Sequence, residues 1–210
     1  MTSFPFTDAT RHLVAARCAA FTRAPDVAAG KLKHAAVAIA LTETDNGSGE
    51  TALLLTGRVS GLRAHGGQWA LPGGRIDDGE TPVAAALREL REEIALDLNA
   101  DDVLGMLDDY PTRSGYLITP VVAWAGRHPP LRLNPDEVAS VRHINLADIV
   151  RVDAVEFVSI PESERRVVRV HVNGRTIHAP TAALIYQFRE VLAGRQTRVA
   201  DLEQPVFAWR

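Results

Sequence analysis

The chain has a single cysteine, Cys18, which cannot close an intrachain disulfide, so no residue here points to an oxidising compartment. Long apolar runs are missing as well. The longest, Ala35–Leu41, falls far short of the roughly 20 residues needed to cross a bilayer. Neither sign of charge dominates: 23 Lys and Arg face 26 Asp and Glu, a formal charge of −3. That balance removes the electrostatic basis for binding nucleic acid or an anionic membrane. The first residues, MTSFPFTDATRHL, lack the basic and then apolar segments of a signal peptide. With 46% hydrophobic and 23% charged residues, the composition is that of an ordinary globular protein. The expectation is a soluble, cytoplasmic protein of 210 residues with one main domain, no membrane partner and no nucleic-acid partner.

The chain shows no internal repeat. Thr7 or Asp8 can cap a first helix that ends near Phe21. The apolar runs Ala35–Leu41 and Ala52–Thr56, joined through Asp45-Asn46-Gly47-Ser48-Gly49, read as a β-hairpin. From Arg58 to Gly79 the glycine-rich sequence reads as one long loop, and loops of that length are often functional. Pro82 to Ile94 reads as a helix with proline in its first turn. Strands are predicted at Val103–Leu107, Tyr116–Ala125, Val138–Asn145 and Val155–Ile160, with a short helix at Leu146–Val150. Asn173-Gly174 marks a tight hairpin between Arg166–Val172 and Arg175–His178, and a last helix, Thr181–Leu192, stops at Gly194. This alternation predicts an α/β sandwich with a mixed sheet.

In the helix after the long loop, Glu89, Glu92 and Glu93 stand at i, i+3 and i+4 and share one face. Val83, Leu87, Leu90 and Ile94 gather on another stripe suited to packing on a sheet. Three carboxylates on one face repel, and a divalent cation with oxygen ligands would relieve that repulsion. A solvated acidic face neutralised by Arg88 and Arg91 is the plain alternative. Glu93 itself is expected to be an exposed carboxylate, so that its replacement by alanine abolishes turnover and leaves the fold intact.

Context decides between a cation site and a solvated face. Gly74, Glu80, Arg88, Glu89, Leu90, Glu92, Glu93 and Leu96 resemble the box of the Nudix hydrolases, G-x5-E-x7-R-E-U-x-E-E-x-G-U, in register. One position departs: Ala95 stands where the pattern has glycine. The resemblance implies an α/β/α Nudix fold, with Glu89, Glu92 and Glu93 binding Mg²⁺ or Mn²⁺ and Arg88 positioning a carboxylate. It implies a catalytic group of Arg88, Glu92 and Glu93, with the general base either a box glutamate or a glutamate on a distant loop, here Glu137. The implied division of the chain is an N-terminal helical extension (1–30), the Nudix domain (31–195) and a C-terminal tail (196–210).

The segment before the box speaks to substrate. Leu54, Leu55, Thr56, Arg58, Arg63, Gly67, Pro72, Gly73 and Gly74 resemble the extra signature of the coenzyme A diphosphatase branch, with Val59 and Leu71 departing from it. Arg58, Arg63 and His65, with backbone at Gly67, Gly73 and Gly74, are the substrate-binding candidates, since glycines let main chain approach phosphate oxygens. Trp69 is a candidate stacking surface or core-edge filler. The implied reaction splits coenzyme A, which carries a diphosphate and a separate 3′-phosphate, into 3′,5′-ADP and 4′-phosphopantetheine. ADP-ribose, NADH or another nucleoside diphosphate derivative is the alternative substrate, and a silent nucleotide-binding module the alternative class. The first helix and the Asn173-Gly174 hairpin could each build a homodimer.

Overall fold

A computed structural model describes residues 2–24, 32–59 and 68–208. In chain order the elements are α1 (Asp8–Ala20), β1 (Lys33–Glu43), β2 (Thr51–Arg58), β3 (Trp69–Ala70), β4 (Gly73–Arg75) and α2 (Pro82–Ile94). There follow β5 (Val103–Met106), β6 (Tyr110–Pro111), β7 (Tyr116–Gly126), β8 (Val138–Asn145), α3 (Leu146–Ile149), β9 (Val155–Ile160), β10 (Ser163–Val172), β11 (Arg175–His178) and α4 (Thr181–Leu192).

Alternation along β1 sets the layers. Ala36, Ala38 and Ala40 face one side of the sheet, and Ile39 and Leu41 the other, as the two-residue period of a strand requires. The small alanines let α2 lie close, with Ala85, Ala86, Leu90 and Ile94 packed against them. On the opposite face Val14 and Cys18 of α1 join Leu184 and Phe188 of α4, together with Val168 and Val170 of β10. Helices on both sides of a mixed sheet give the α/β/α sandwich that the resemblance implies. No helix among the described residues is long and apolar enough to cross a membrane.

The expected hairpin forms, over a short stretch next to its turn. β1 and β2 pair directly only from Leu41–Leu53 to Glu43–Thr51. On its other edge β1 runs parallel to β7 from Lys33 to Thr42, and on the β2 edge it takes β4 at Ala35–Val37. The segment read as one long loop therefore contains two strands, since β3 also pairs with β2 at Thr56 and Gly57. Missing side chains make this possible. A Cβ on Gly73, which has φ +156°, would sit 2.3 Å from the Ala36 carbonyl oxygen, and one on Gly74 would sit 2.2 Å from Glu89 Oε1. The glycines thus wedge the backbone between β1 and the carboxylates of α2.

β9, β10 and β11 form a second, antiparallel sheet, in which the Asn173-Gly174 turn connects β10 to β11. Both turn residues have positive φ, as a tight hairpin turn demands.

Thr81 caps α2 by accepting a hydrogen bond from the Ala84 amide, and Pro82 follows in the first turn. At the other end Ala95 adopts the left-handed conformation, φ 55° and ψ 34°, while the Leu96 and Ala95 amides bond back to Leu90 and Arg91. That closure favours glycine, and alanine in it costs about 1 kcal/mol. Ala95→Gly should therefore raise the thermal midpoint by about 2–4 °C in a chain of this size. An unchanged or lowered midpoint in a melting experiment would remove the strain assigned to this residue.

Candidate functional site

Arg88 organises the carboxylates of α2. Its Nε donates to Glu80 Oε1 at 3.0 Å and Nη2 to Glu80 Oε2 at 3.1 Å, the second Nη2 hydrogen going to the Arg75 carbonyl at 2.9 Å. Nη1 reaches Glu89 at 2.8 Å and Glu92 at 3.1 Å. Glu80 in turn accepts from the Asp77 amide, tying the turn before α2 to the same cluster. The hydrogen bond from Arg88 holds the Glu80 carboxyl below its ordinary range, and Glu80 in turn pushes the Arg88 guanidinium up. The predicted repulsion among the helix carboxylates is met by this one cation.

Glu93 behaves differently. It is only 5% exposed, which corrects the expectation of an exposed carboxylate. Three residues after Leu90 and seven after Ala86, both fully buried, it lies on the edge of the packed stripe rather than on the open face. Its Oε2 is buried with no hydrogen-bond partner among the described residues. Burial, reinforced by the Glu89 charge, pushes its pKa up to about 8, against the opposing pull of Arg58 and a hydrogen bond from the Gly73 amide. Glu89 is also raised, first by burial.

Glu137 belongs to the same neighbourhood, because its charge acts on both Glu89 and Glu93. The segment that carries it is pinned to the end of α2 by bonds from the Asn134 amide to the Glu93 carbonyl at 2.9 Å and from the Arg132 amide to the Ile94 carbonyl at 3.1 Å. The Glu137 carbonyl accepts from the Val59 amide, which joins the segment to the end of β2.

Among the described residues no three acidic, histidine or cysteine side chains meet closely enough to cage a cation outright. Glu89 and Glu92 each turn one oxygen to Arg88 and keep another that Arg88 does not engage. An all-carboxylate donor set with one orphaned, buried oxygen fits a hard divalent ion.

The carboxylates stand beside a cleft of about 470 Å³, within the range of small-molecule sites. Arg58, Gly73 and Gly74 line it on the box side, and Trp69 lines it from β3. Arg58 Nε is buried without a hydrogen-bond partner among the described residues, so a donor remains available there. Arg63, His65 and Gly67 lie outside the described residues. Sequence reasoning missed the far wall, where Arg175, Thr176 and His178 of β11 face the box across the cleft. It also missed Tyr116, whose hydroxyl accepts from Arg75 at 2.6 and 2.9 Å. The Asn173-Gly174 turn was legible, but no local signal tells which surface that hairpin covers.

Residues 32–163 match the NUDIX domain family. A protein of Cronobacter sakazakii, named Uncharacterized Nudix hydrolase NudL, is 43% identical over 104 residues, 49% of this chain and 54% of that protein. The chain spans about half the length of the curated relatives it matches. Among solved structures, a MutT/nudix family protein from Enterococcus faecalis is 17% identical, with a TM-score of 0.51, over 75% of this chain and 58% of the other. The Nudix hydrolase RenU from M. smegmatis is 24% identical with a TM-score of 0.50, over 77% of this chain and 86% of the other. These two structures share the fold.

A carboxyl that is protonated in the folded protein up to about pH 8 and in the unfolded chain only to its ordinary 4.5 has a defined effect on stability. Between those values the native state binds more protons, so stability of the metal-free protein falls as pH rises from about 4.5 to about 8. Glu93→Gln should remove that decline and make the metal-free variant the more stable protein at pH 8. Parallel denaturation curves for the two proteins across this range would contradict the burial assigned to Glu93.

Proposed function

The chain belongs to the Nudix family, and on that premise we propose that it is a hydrolase that cleaves the diphosphate of coenzyme A or its derivatives into 3′,5′-ADP and 4′-phosphopantetheine. The observation that carries the hydrolytic reading is the buried, unpartnered oxygen of Glu93 next to Glu89 and Glu92, at the side of a cleft that can receive a small molecule. Support for the coenzyme A branch is the run from Leu54 to Gly74, in which Arg58 and the Pro72-Gly73-Gly74 turn stand in the register of that branch's signature.

Glu89, Glu92 and Glu93 would hold Mg²⁺ or Mn²⁺, the hard cations suited to carboxylate oxygens. When bound, such an ion supplies Lewis-acid neutralisation of the diphosphate oxygens. The chain's own residues do the rest. Arg88 fixes Glu89 and Glu92 so that their free oxygens keep one orientation. Arg58, with the backbone at Gly73 and Gly74 on the box side of the cleft, would receive the diphosphate next to these carboxylates. Water adds to one phosphorus as the bridging P–O bond breaks, the leaving phosphate takes the bridging oxygen, and a carboxylate takes the water's proton. Glu92, Glu93 and Glu137 are the carboxylates available for that proton.

Val59 and Leu71, which depart from the coenzyme A signature, are the observation in favour of a second reading: a Nudix hydrolase for ADP-ribose, NADH or another nucleoside diphosphate derivative. Product analysis separates the readings. With Mg²⁺ or Mn²⁺ the protein should release 3′,5′-ADP from coenzyme A and outpace its turnover of ADP-ribose and NADH. Preference for ADP-ribose or NADH would replace the substrate assignment and keep the carboxylate site. Glu93→Gln should lower turnover by at least about a hundredfold, and near-normal turnover would overturn the site itself.

A further inference from the structure

Two guanidinium groups converge on Trp69. Arg142, on β8, lies 5.5 Å from the centre of the indole, and Arg175, at the start of β11, lies 5.8 Å from it. Together with Asn173 they line a cavity of about 180 Å³, of which Trp69 is also a wall. Trp69 and Arg175 belong to the main cleft too, so the small cavity adjoins the cleft at these residues.

This arrangement is not explained by packing. Both arginines are exposed. Among the described residues neither guanidinium has a carboxylate partner, whereas the nearby Arg151 and Arg169 pair with Asp153 and Glu156. Asp153, which shares an outer groove with Arg175, is already engaged by Arg151. Gathering two like charges at one ring costs repulsion, which the aromatic face offsets only in part. An anion between them removes it. Nor does the hydrolysis itself call for these residues. Arg58 and the box serve the diphosphate, and Arg175 lies beyond residues 32–163, the part that matches the family.

We propose that Arg142 and Arg175, set about Trp69, form a subsite for a phosphate monoester carried by the substrate in addition to its diphosphate. The proposal deepens the coenzyme A reading and rests on it for the identity of the substrate, whose 3′-phosphate is such a group. A monoester dianion suits two arginines, because each guanidinium presents paired donors to phosphate oxygens. The tight turn at Asn173-Gly174, with positive φ at both residues, brings the start of β11 to the rim of this cavity. The second sheet thereby has a role in recognition that the box leaves open.

The test uses the full chain and two probes that differ by one phosphate, adenosine 3′,5′-bisphosphate and adenosine 5′-monophosphate. Calorimetry should show the bisphosphate binding at least about tenfold more tightly to the wild type. In the double variant Arg142→Ala, Arg175→Ala that preference should fall to about one, and Arg175→Lys, which keeps the charge, should retain part of it. Both sites are exposed, so circular dichroism should show native folding in each variant. Equal binding of the two probes by the wild type, or a full preference surviving in the double variant, would overturn the subsite. Turnover of coenzyme A and dephospho-coenzyme A separates this failure from failure of the functional reading. If the wild type prefers coenzyme A and the double variant keeps that ratio of kcat/KM, the function stands and the subsite falls. If the wild type leaves coenzyme A intact while the bisphosphate preference depends on the two arginines, the subsite stands and the substrate assignment falls.

Discussion

Every N–H of the Arg88 guanidinium is taken, and the site is arranged around that fact. Its donors go to both oxygens of Glu80, to Glu89, to Glu92 and to the Arg75 carbonyl. One side chain thereby joins the turn before α2, the strand β4 and two turns of the helix face. The carboxylates can crowd because Arg88 offsets their charge, and β4 can lie against them because Gly74 adds no side chain. Glu93 is the carboxylate that Arg88 does not reach. Left buried with one oxygen unpartnered, it is the point in the cluster with unmet electrostatic need.

The main helices, most of the strands and the box were legible because their signals are local. Pro82 announces the start of α2, whereas the left-handed Ala95 at its end stands in a position that favours glycine and gives no stop signal of its own. The spacing of Glu89, Glu92 and Glu93 follows from helical geometry alone. What escaped was long-range. The hairpin between β1 and β2 is a correct local reading, yet a strand from elsewhere, β4, takes the same edge of β1 farther along, at Ala35–Val37. The burial of Glu93 depends on its distance from Leu90 and Ala86 as much as on its place among the glutamates. A stripe assembled from apolar residues alone passes over it.

The cleft shows the same division. One wall is the glycine-rich approach to the box, which the sequence marks plainly. The other is β11, brought there by the second sheet and by the packing of α4, and no pattern within that hairpin records its destination. On the proposed reading, hydrolysis belongs to the helix and its arginine and recognition to the surface facing them, two parts distant in the chain.

The central claim is that the α2 carboxylates form a divalent-cation site whose buried member is Glu93. Titration of the metal-free full chain with Mn²⁺, followed by electron paramagnetic resonance, tests it directly. The account predicts saturable binding that weakens by at least about tenfold in Glu93→Gln. Equal Mn²⁺ affinity in the two proteins would contradict it.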